Sequence, residues 1–342
     1  MAFDPLIPVL LVFGLTALGA FALANPASPL YRLDIPGNRS LHDEATPRGG
    51  GLAVVVVVGL TVLISAVFGM LSSSWWPLVL GALLVALISY IDDWRGLSQA
   101  VRLAVHLVAA TLLVAFADVP NGIVAPGISW DVPAWLLFVP VALLVVWMTN
   151  LFNFMDGMDG FAGGMGVIGF GTLALLGYNS MEPAYAFVAV VIAASCGGFL
   201  VSNFPPARIF LGDVGSVTLG YLAAGMILLG EELGVLDWWL GVMAFGPFVA
   251  DSTVTLLRRA SKGERVWEPH RSHFYQRIVQ LGWSHRRTTL IEYSLMVFSA
   301  GAALVAQHAS TLVSWLLVLL VIVIYVVLML VVTFAERSRK SA

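Results

Sequence analysis

Four polar residues recur every three positions in the stretch NLFNFMDGMDGFAGG, residues 150–164. They are two amides and two carboxylates: Asn150, Asn153, Asp156 and Asp159. On an uninterrupted α-helix this spacing would spread the side chains over half of the circumference. Gly157 and Gly160 can break the helix so that the side chains converge, and non-helical backbone between apolar segments is tolerated where it lines a polar cavity. The alternative is a polar cap that ends two helices, for which one or two such residues suffice.

A second acidic feature is the pair Asp92-Asp93 in ISYIDDWRGL. Adjacent side chains on a helix point to different sides, so the two carboxylates need not bind the same ion. Arg102 follows nine residues after Asp93 and can meet a phosphate with a fixed fork of donors. The pair could instead be a solvated helix end that faces Arg95.

The stretch FPPARIFLGDVGS, residues 204–216, places Asp213 at the start of an apolar segment. Pro205-Pro206 ends the preceding apolar segment, and Asp213 with Ser216 can cap the next helix. Free backbone N–H groups at such a helix start favour a phosphate or its metal complex. Capping alone is the competing explanation for Asp213.

Basic and histidine side chains cluster in two further segments. EPHRSHFYQRI, residues 268–278, followed by GWSHRR, carries His270, Arg271, His273 and Arg277. DIPGNRSLHDEATPRGGGLA, residues 34–53, carries Arg39, His42 and Arg48 before a triple glycine. Attraction to anionic lipid head groups is the alternative role for these charges, and it explains the arginines better than the histidine pair.

The composition indicates that membrane helices position these residues. Of 342 residues, 59% are hydrophobic and only 11% are charged, whereas soluble domains carry roughly a quarter charged residues. A spanning helix needs about 20 apolar residues. The candidate segments are 5–25, 50–70, 75–91, 101–117, 133–150, 161–177, 184–202, 214–230, 237–257, 289–307 and 312–334. We therefore expect an all-α integral membrane protein with about 11 transmembrane helices, forming one polytopic domain over residues 1–342.

The basic residues predict the orientation of this domain. All 17 Lys and Arg lie within or at the edges of the segments 26–49, 92–102, 203–213, 258–288 and 335–342. Eleven spans place these segments and 150–161 on one face, and an excess of Lys and Arg marks the cytoplasmic face. The loops of the opposite face carry acidic residues but no Lys or Arg. We expect the N-terminus outside, the C-terminus in the cytoplasm and a polar site on the cytoplasmic face.

Three other features have simpler interpretations. Cys196 is the only cysteine, so neither an intrachain disulfide nor a Cys-based metal site can form. GMGVIG, residues 164–169, matches the dinucleotide-binding glycine pattern, but no strand precedes it, so close helix packing is expected. Asp251 lies less than two helical turns from Arg258 and is either structural or part of the site.

In their order along the chain, the motifs resemble those of the polyprenyl-phosphate N-acetylhexosamine-1-phosphate transferases. These motifs are DIPGNRSLHDEATPRGGG, the DD of YIDDWRGL, NLFNFMDGMDG, FLGDVGS and the HRSH loop. The resemblance extends from about residue 30 to residue 290. It implies a cytoplasmic active site in the bacterial inner membrane that transfers a sugar-1-phosphate from a UDP-sugar to undecaprenyl phosphate and releases UMP. HRSHFYQ is more similar to the branch that starts O-antigen or capsule units than to the peptidoglycan branch, whose loop has consecutive histidines.

The resemblance also implies a role for each matching residue. Asp213 and Asn153 would hold Mg²⁺, for which Mn²⁺ can substitute, against the pyrophosphate. Asp159 would face the uracil and Phe210 would stack on it. Phosphate contacts are implied for Arg102, which stands where the family often has Lys, and for His270, Arg271 and His273. Asp92 or Asp93 would activate the lipid phosphate, with Asp156 and His270 as further catalytic candidates. The remaining expected substrate contacts are Arg39, His42, Arg48, Asn150 and Asn203.

The chemistry fits this composition, because attack of one phosphate on another brings negative groups together and makes positioning and charge neutralisation dominant. The second pKa of a phosphate is about 6, so the acceptor is largely ionised and needs little from a base. The rival hypothesis is a secondary transporter, whose polar groups lie near the bilayer midplane in broken helices. Here the acidic residues lie at helix ends on one face. The other expected partner is the lipid bilayer, with no nucleic acid; a homodimer is compatible with the resemblance, since dimers occur in related enzymes.

Cysteine labelling tests the predicted orientation. Ser98→Cys and Ser272→Cys should react only with reagent that reaches the cytoplasm, because both positions lie in basic segments, whereas Asn179→Cys should react from outside. The unsubstituted protein, with Cys196 in an apolar segment, is the control. Labelling of Ser272→Cys from outside would contradict the shared cytoplasmic face.

Overall fold

The computed structural model describes residues 6–37, 41–42, 44–117, 122–266, 268 and 270–341. Within them the chain forms α1 Leu6–Leu23, α2 Gly51–Val67, α3 Trp76–Arg95, α4 Gln99–Phe116, α5 Ala134–Phe154, α6 Phe161–Asn179, α7 Pro183–Asn203, α8 Asp213–Glu232, α9 Trp238–Ala244, α10 Gly246–Ser261, α11 Phe274–Gln280, α12 His285–Ala306 and α13 Thr311–Ser341. Two antiparallel hairpins accompany them: β1 Leu33–Asp34 with β2 Thr46–Pro47, and β3 Gly122–Ala125 with β4 Ile128–Asp131. The predicted all-α membrane fold is confirmed.

Nine helices of the described residues are long and apolar enough to cross a membrane, and α9 with α10 forms a tenth candidate that is bent by 86°. The structure differs from eleven continuous spans at two places. Helix α2 has only 17 residues, because Gly69 follows it in the left-handed conformation that ends helices. The predicted span 237–257 is broken because Pro247, in the first turn of α10, has no N–H group to continue the hydrogen bonds of α9.

Helix α8 lies at the centre of the bundle. In its most apolar window 89% of the residues are buried inside the protein, compared with 17% in α1 and 11% in α13. Helices α2, α3 and α5 pack directly against α8. The outer helices expose leucine and valine side chains, which suits contact with lipid chains.

Glycines allow the closest helix contacts. A Cβ atom on Gly51 would lie 2.3 Å from the Cα atom of Gly215, so the first turns of α2 and α8 approach more closely than any side chain permits. This contact gives the triple glycine a structural role and sets the preceding loop against the start of α8. In α6, a Cβ on Gly166 would lie 2.4 Å from the sulfur of buried Cys196. The predicted close packing of residues 164–169 is therefore confirmed.

Candidate active site

A polar cavity of about 490 Å³ opens where the ends of α4, α5, α7, α8, α11 and α12 meet. Most of the predicted site residues line it: His42, Arg48, Arg102, Asn153, Asp156, Asp159, Asn203, Phe210, Asp213, His270 and His273. Arg39 lies outside the described residues. The structure thus brings segments that are distant in the sequence together at one end of the bundle.

The Asn/Asp series is divided by the end of α5. The helix continues to Phe154, so Asn150 stays on it; its Nδ2 atom donates to the carbonyl of Val146 at 2.7 Å and lies 3.4 Å from Nδ1 of His106. Asn150 is therefore not among the residues that line the cavity, and the prediction that all four side chains converge is wrong for this residue. The reason is that an intact helix rotates successive positions away from one another. Asn153 does reach the cavity, and its Nδ2 donates to Ser216 of α8 at 3.2 Å.

Asp156 and Asp159 lie in the loop between α5 and α6, where different neighbours act on their carboxyl groups. Burial and then the negative charge of Asp213 raise the pKa of Asp156 well above its usual value, although the N–H of Gly212 donates to this carboxyl. At Asp159, burial alone would raise the pKa. Hydrogen bonds from His285 and from the Ala207 N–H outweigh burial and lower it. Asp159 is therefore anionic at neutral pH.

Asn203 joins two loops of the cavity wall. Its Oδ1 atom accepts from the N–H of Gly160 at 2.9 Å, and its Nδ2 atom donates to the carbonyl of Ile209 at 2.8 Å. The side chain is buried, and both of its polar atoms are bonded to backbone. Asn203 lines the cavity as predicted, but these contacts give it a role in positioning the loops.

The loop before α2 pairs with the loop before α8. The carbonyl of Phe210 accepts from the N–H groups of Gly49 and Gly50 at 3.1 and 2.9 Å, and the Phe210 N–H donates to Pro47 at 2.8 Å. The Phe210 ring lies 4.8 Å from the ring of His42. This pairing places an aromatic face and an imidazole on the same cavity wall.

Asp213 is the first residue of α8, and the cap position is occupied by Gly212, without a side-chain cap. Ser216 donates instead to the Gly212 carbonyl at 3.2 Å. Asp213 therefore does not cap α8. Its carboxylate lines the cavity, with Oδ2 3.5 Å from Nη1 of Arg102, at a helix start where negative charge is favoured.

Asp92 and Asp93 support arginines that reach the cavity. Asp92 accepts from Nη1 of Arg102 at 2.9 Å and from the N–H of Leu97 at 2.6 Å. Asp93 accepts from Arg48, and Arg32 donates to its backbone carbonyl. Both carboxylate side chains are only 8% exposed, so the alternative of a solvated helix end is wrong. As expected, the two carboxylates serve different neighbours.

The histidines before α11 line the cavity, whereas Arg271 of the same loop and Arg277 of α11 do not. Burial, followed by the charges of His273, Arg259 and Arg258, lowers the pKa of His270 to about 4, so His270 is neutral at pH 7. Arg271 is exposed and is not among the residues that line the cavity. Arg277 points away from the cavity: its guanidinium donates to Glu336 of α13 at 2.7 and 2.6 Å. The predicted phosphate contacts of this loop are thus reduced to His270 and His273.

The residues present fit a divalent cation that is shared with a substrate. Asp93, Asp156 and Asp213 act on one another by like-charge repulsion, which a cation would relieve. The described part of the chain contains no cluster of three or more His, Cys, Asp or Glu side chains arranged for a metal. Mg²⁺, however, is commonly bound through one or two carboxylates plus substrate phosphates and water. Asp213 and the carbonyl oxygen of Asn153 would supply the protein ligands.

The sequence interpretation missed several residues of the cavity wall, and His285 and Tyr275 are two of them. His285, at the start of α12, places Nδ1 3.2 Å from the Asp159 carboxylate. Tyr275 donates from its hydroxyl to the carbonyl of Phe154 at 3.1 Å, which ties α11 to the end of α5. His285 could have been found in the sequence, because the histidine of GWSHRR lies among basic residues just before a span. The sequence contains no comparable signal for Tyr275.

Comparison with known proteins gives a consistent result. The chain matches the family "Glycosyl transferase family 4" over residues 75–231. It is 30% identical over 281 residues to a probable undecaprenyl-phosphate N-acetylglucosaminyl 1-phosphate transferase of Bacillus subtilis, covering 81% of this chain and 78% of the relative. It is 32% identical over 327 residues to a decaprenyl-phosphate N-acetylglucosaminephosphotransferase of Mycobacterium tuberculosis, covering 81% and 77%. A phospho-N-acetylmuramoyl-pentapeptide-transferase of Synechococcus sp. is 31% identical over 318 residues, covering 84% and 89%.

The position of Asn203 generates a stability prediction. Asn203→Ala should lower the unfolding free energy by about 2 kcal/mol or more, because a buried N–H and a buried carbonyl lose their partners. The measurement is the midpoint of thermal unfolding in detergent. Asn179→Ala is the control, since Asn179 makes an exposed hydrogen bond to Gln307. An unchanged midpoint combined with weaker substrate binding would instead make Asn203 a direct substrate contact.

Proposed function

Because the chain belongs to the polyprenyl-phosphate N-acetylhexosamine-1-phosphate transferases of glycosyl transferase family 4, we propose that its cavity transfers an N-acetylhexosamine-1-phosphate from a UDP-sugar to undecaprenyl phosphate. UMP leaves, and the sugar diphosphate remains on the lipid. The observation that carries the proposal is the pairing of three carboxylates with two arginines at one end of an apolar bundle. A soluble donor and a lipid-borne acceptor can both reach such a site.

The arginines would bind the phosphates that react. Arg102 lies between the carboxylates of Asp92 and Asp213, and Arg48 is held by Asp93. A guanidinium that is fixed by a carboxylate behind it presents its remaining N–H groups in a defined direction. We infer that Arg102 meets the acceptor phosphate and that Asp92 orients Arg102 for this contact.

In the transfer, an oxygen of the lipid phosphate attacks the β-phosphorus of the donor, and the bond from that phosphorus to the UMP oxygen breaks. The attacking phosphate is largely ionised at neutral pH, so a general base contributes little. Both Asp92 and Asp93 hydrogen-bond to arginines, which supports a positioning role for the pair. Positioning and charge neutralisation then supply most of the rate acceleration.

We propose Mg²⁺ as the cofactor, with Mn²⁺ as a substitute, held by Asp213 and Asn153. When bound, Mg²⁺ would neutralise charge on the pyrophosphate oxygens as a Lewis acid. Asp156 lies beside Asp213, and its raised pKa reflects burial and that neighbouring charge. A cation held by Asp213 would favour the charged form of this carboxyl group without having it as a ligand.

The donor base would occupy the wall formed by Asp159 and Phe210. An anionic Asp159 can accept a hydrogen bond from an N–H of uracil, and the Phe210 ring can stack on the base. His285 contacts Asp159 and would keep that carboxylate in one orientation. The histidines of the loop before α11 would then contact the phosphates of the donor.

The proposal extends to the sugar that is transferred, the pathway that the enzyme serves and its location in the cell. Two of the relatives are named for N-acetylglucosamine, which supports an N-acetylhexosamine, including a 6-deoxy form, as the sugar. His270 and His273 are separated by two residues, and the HRSH loop favours a role in O-antigen, capsule or another cell-envelope glycan. We propose that the enzyme lies in the bacterial inner membrane, faces the cytoplasm with its active site and can form a homodimer.

The secondary transporter is less well supported. A transporter site is expected near the bilayer midplane, whereas Asp93 and Asp213 lie at the C-terminal and N-terminal ends of α3 and α8. The break between α9 and α10 is a broken helix of the kind that transporters use, but the cavity is lined by other elements. The family membership and the position of the acidic residues both favour the transferase.

Metal dependence provides the test. Purified protein with undecaprenyl phosphate and UDP-N-acetylhexosamines should release UMP only with Mg²⁺ or Mn²⁺. Asp213→Ala should lower turnover by at least about a hundredfold, because it removes a cation ligand worth several kcal/mol in the transition state. The control is Asp131→Ala, on the exposed β4 strand, which should keep its activity.

Thermal unfolding of the same variants separates chemistry from folding. The side chain of Asp213 is 33% exposed, so its replacement should leave the unfolding midpoint nearly unchanged. Turnover close to that of the unsubstituted protein in folded Asp213→Ala would refute the metal assignment. Absence of UMP release with every UDP-N-acetylhexosamine would refute the proposed donor class.

A further inference from the structure

A buried carboxylate in α10 contacts the loop that carries the cavity histidines. Asp251 is only 6% exposed and lies after the break between α9 and α10. It is absent from the cavity wall, so it does not itself touch a bound substrate there. Its partners show how it acts on the site.

Asp251 accepts four hydrogen bonds. Its Oδ1 atom accepts from Thr255 at 3.0 Å, from Nδ1 of His273 at 3.2 Å and from the Phe274 N–H at 2.9 Å. Its Oδ2 atom accepts from the Tyr275 N–H at 3.0 Å. A buried carboxylate with this many donors is anionic and has one orientation.

The ring of His273 is held on several sides. It is 2% exposed and lies nearly parallel to the rings of Phe154 and Tyr275, at centroid distances of 6.1 and 6.0 Å. With Nδ1 bonded to Asp251, the opposite nitrogen, Nε2, is directed to the cavity that His273 lines. His273 therefore has one fixed orientation with respect to the cavity.

The Nε2 atom of His273 is buried and has no hydrogen-bond partner among the described residues. Buried polar atoms are almost always bonded, so an unpartnered one at a cavity wall indicates a ligand. His270, 4.8 Å away ring to ring, is neutral at pH 7 and does not supply a positive charge.

A purely structural Asp–His contact would explain less of this geometry. The backbone N–H groups of Phe274 and Tyr275 already anchor the start of α11 to Asp251 without the imidazole. A histidine that only stabilised the fold would be expected to have both nitrogens bonded within the protein. The remaining nitrogen faces the cavity instead.

We propose that Asp251 is a positioning residue that holds the imidazole of His273 so that its Nε2 atom hydrogen-bonds to a phosphate of the bound nucleoside diphosphate. The inference rests on the proposed transferase function and extends it to a residue outside the cavity wall. Asp251 acts only through His273; it neither touches the nucleotide nor takes part in the transfer.

A double-mutant cycle tests this dependence. The four proteins are the unsubstituted enzyme, Asp251→Asn, His273→Gln and the double variant. Affinity for UDP is measured by calorimetry with Mg²⁺, and kcat/KM is measured from UMP release. Each single variant should lose about tenfold to a hundredfold in both quantities, the range for a hydrogen bond to a charged group. The double variant should be no worse than the worse single variant, because the two residues act as a unit.

Ser252→Ala is the matched control. Ser252 is the next residue of α10 and is buried, so its variant reports any general disturbance of the helix and should bind UDP as the unsubstituted protein does. If Asp251→Asn fails to fold, Asp251→Glu replaces it in the cycle, since it keeps the charge and displaces the carboxylate by one methylene. The same non-additivity is expected.

The outcomes distinguish this inference from the function on which it rests. Additive losses, or an Asp251→Asn protein that binds UDP normally, would overturn the inference while leaving the transferase proposal intact. Failure of the unsubstituted protein to bind UDP would refute the proposed donor, and with it the role of His273 as a phosphate contact. Non-additive losses in folded proteins would support both.

Discussion

Negative charge at the end of an apolar bundle is the constraint on which this structure depends. A carboxylate removed from water is costly unless it is paired or hydrogen-bonded, and four of them lie close together here, two in the cavity wall and two behind its arginines. Arg102 lies between Asp92 and Asp213, and Arg48 pairs with Asp93. No arginine is among the groups that shift the pKa of Asp156, and burial and the charge of Asp213 raise that pKa. A divalent cation, and the phosphates that it accompanies, would stabilise the charged form of these neighbouring carboxyl groups.

The scaffold keeps these groups close together through helix ends and close backbone contacts. Because α8 is the buried central helix, its first residue, Asp213, is fixed relative to the helices around it. Gly51 and Gly215 let the loop before α2 lie against that helix start. Asp251 and Tyr275 secure α11 from the other side. The catalytic groups therefore lie at helix ends and in the loops beside them, and rigid helices set their positions.

Much of this site could be predicted from the sequence, because polar residues between apolar segments have few structural uses. The spans and the motifs that line the cavity followed from composition and spacing. The position of Asn150 could not be predicted, since it depends on α5 continuing as a helix for another turn. The pairing of Arg277 with Glu336 of α13 joins residues far apart in the sequence and leaves no local signal. The sequence leaves two roles open for Asp251, a structural one and a part in the site. The hydrogen bonds to His273 and to the start of α11 decide between them.

The central claim is that the donor and the lipid phosphate react directly in one site, with Asp92 and Asp93 positioning arginines and not forming a covalent intermediate. The most direct measurement incubates labelled UMP with UDP-N-acetylhexosamine and delipidated enzyme, without undecaprenyl phosphate. Direct transfer predicts no label in the UDP-sugar, and label should enter once the lipid is added, because the reaction can then reverse. Steady incorporation without lipid would mean that a carboxylate had displaced UMP to form a phosphorylated enzyme, and would contradict this account.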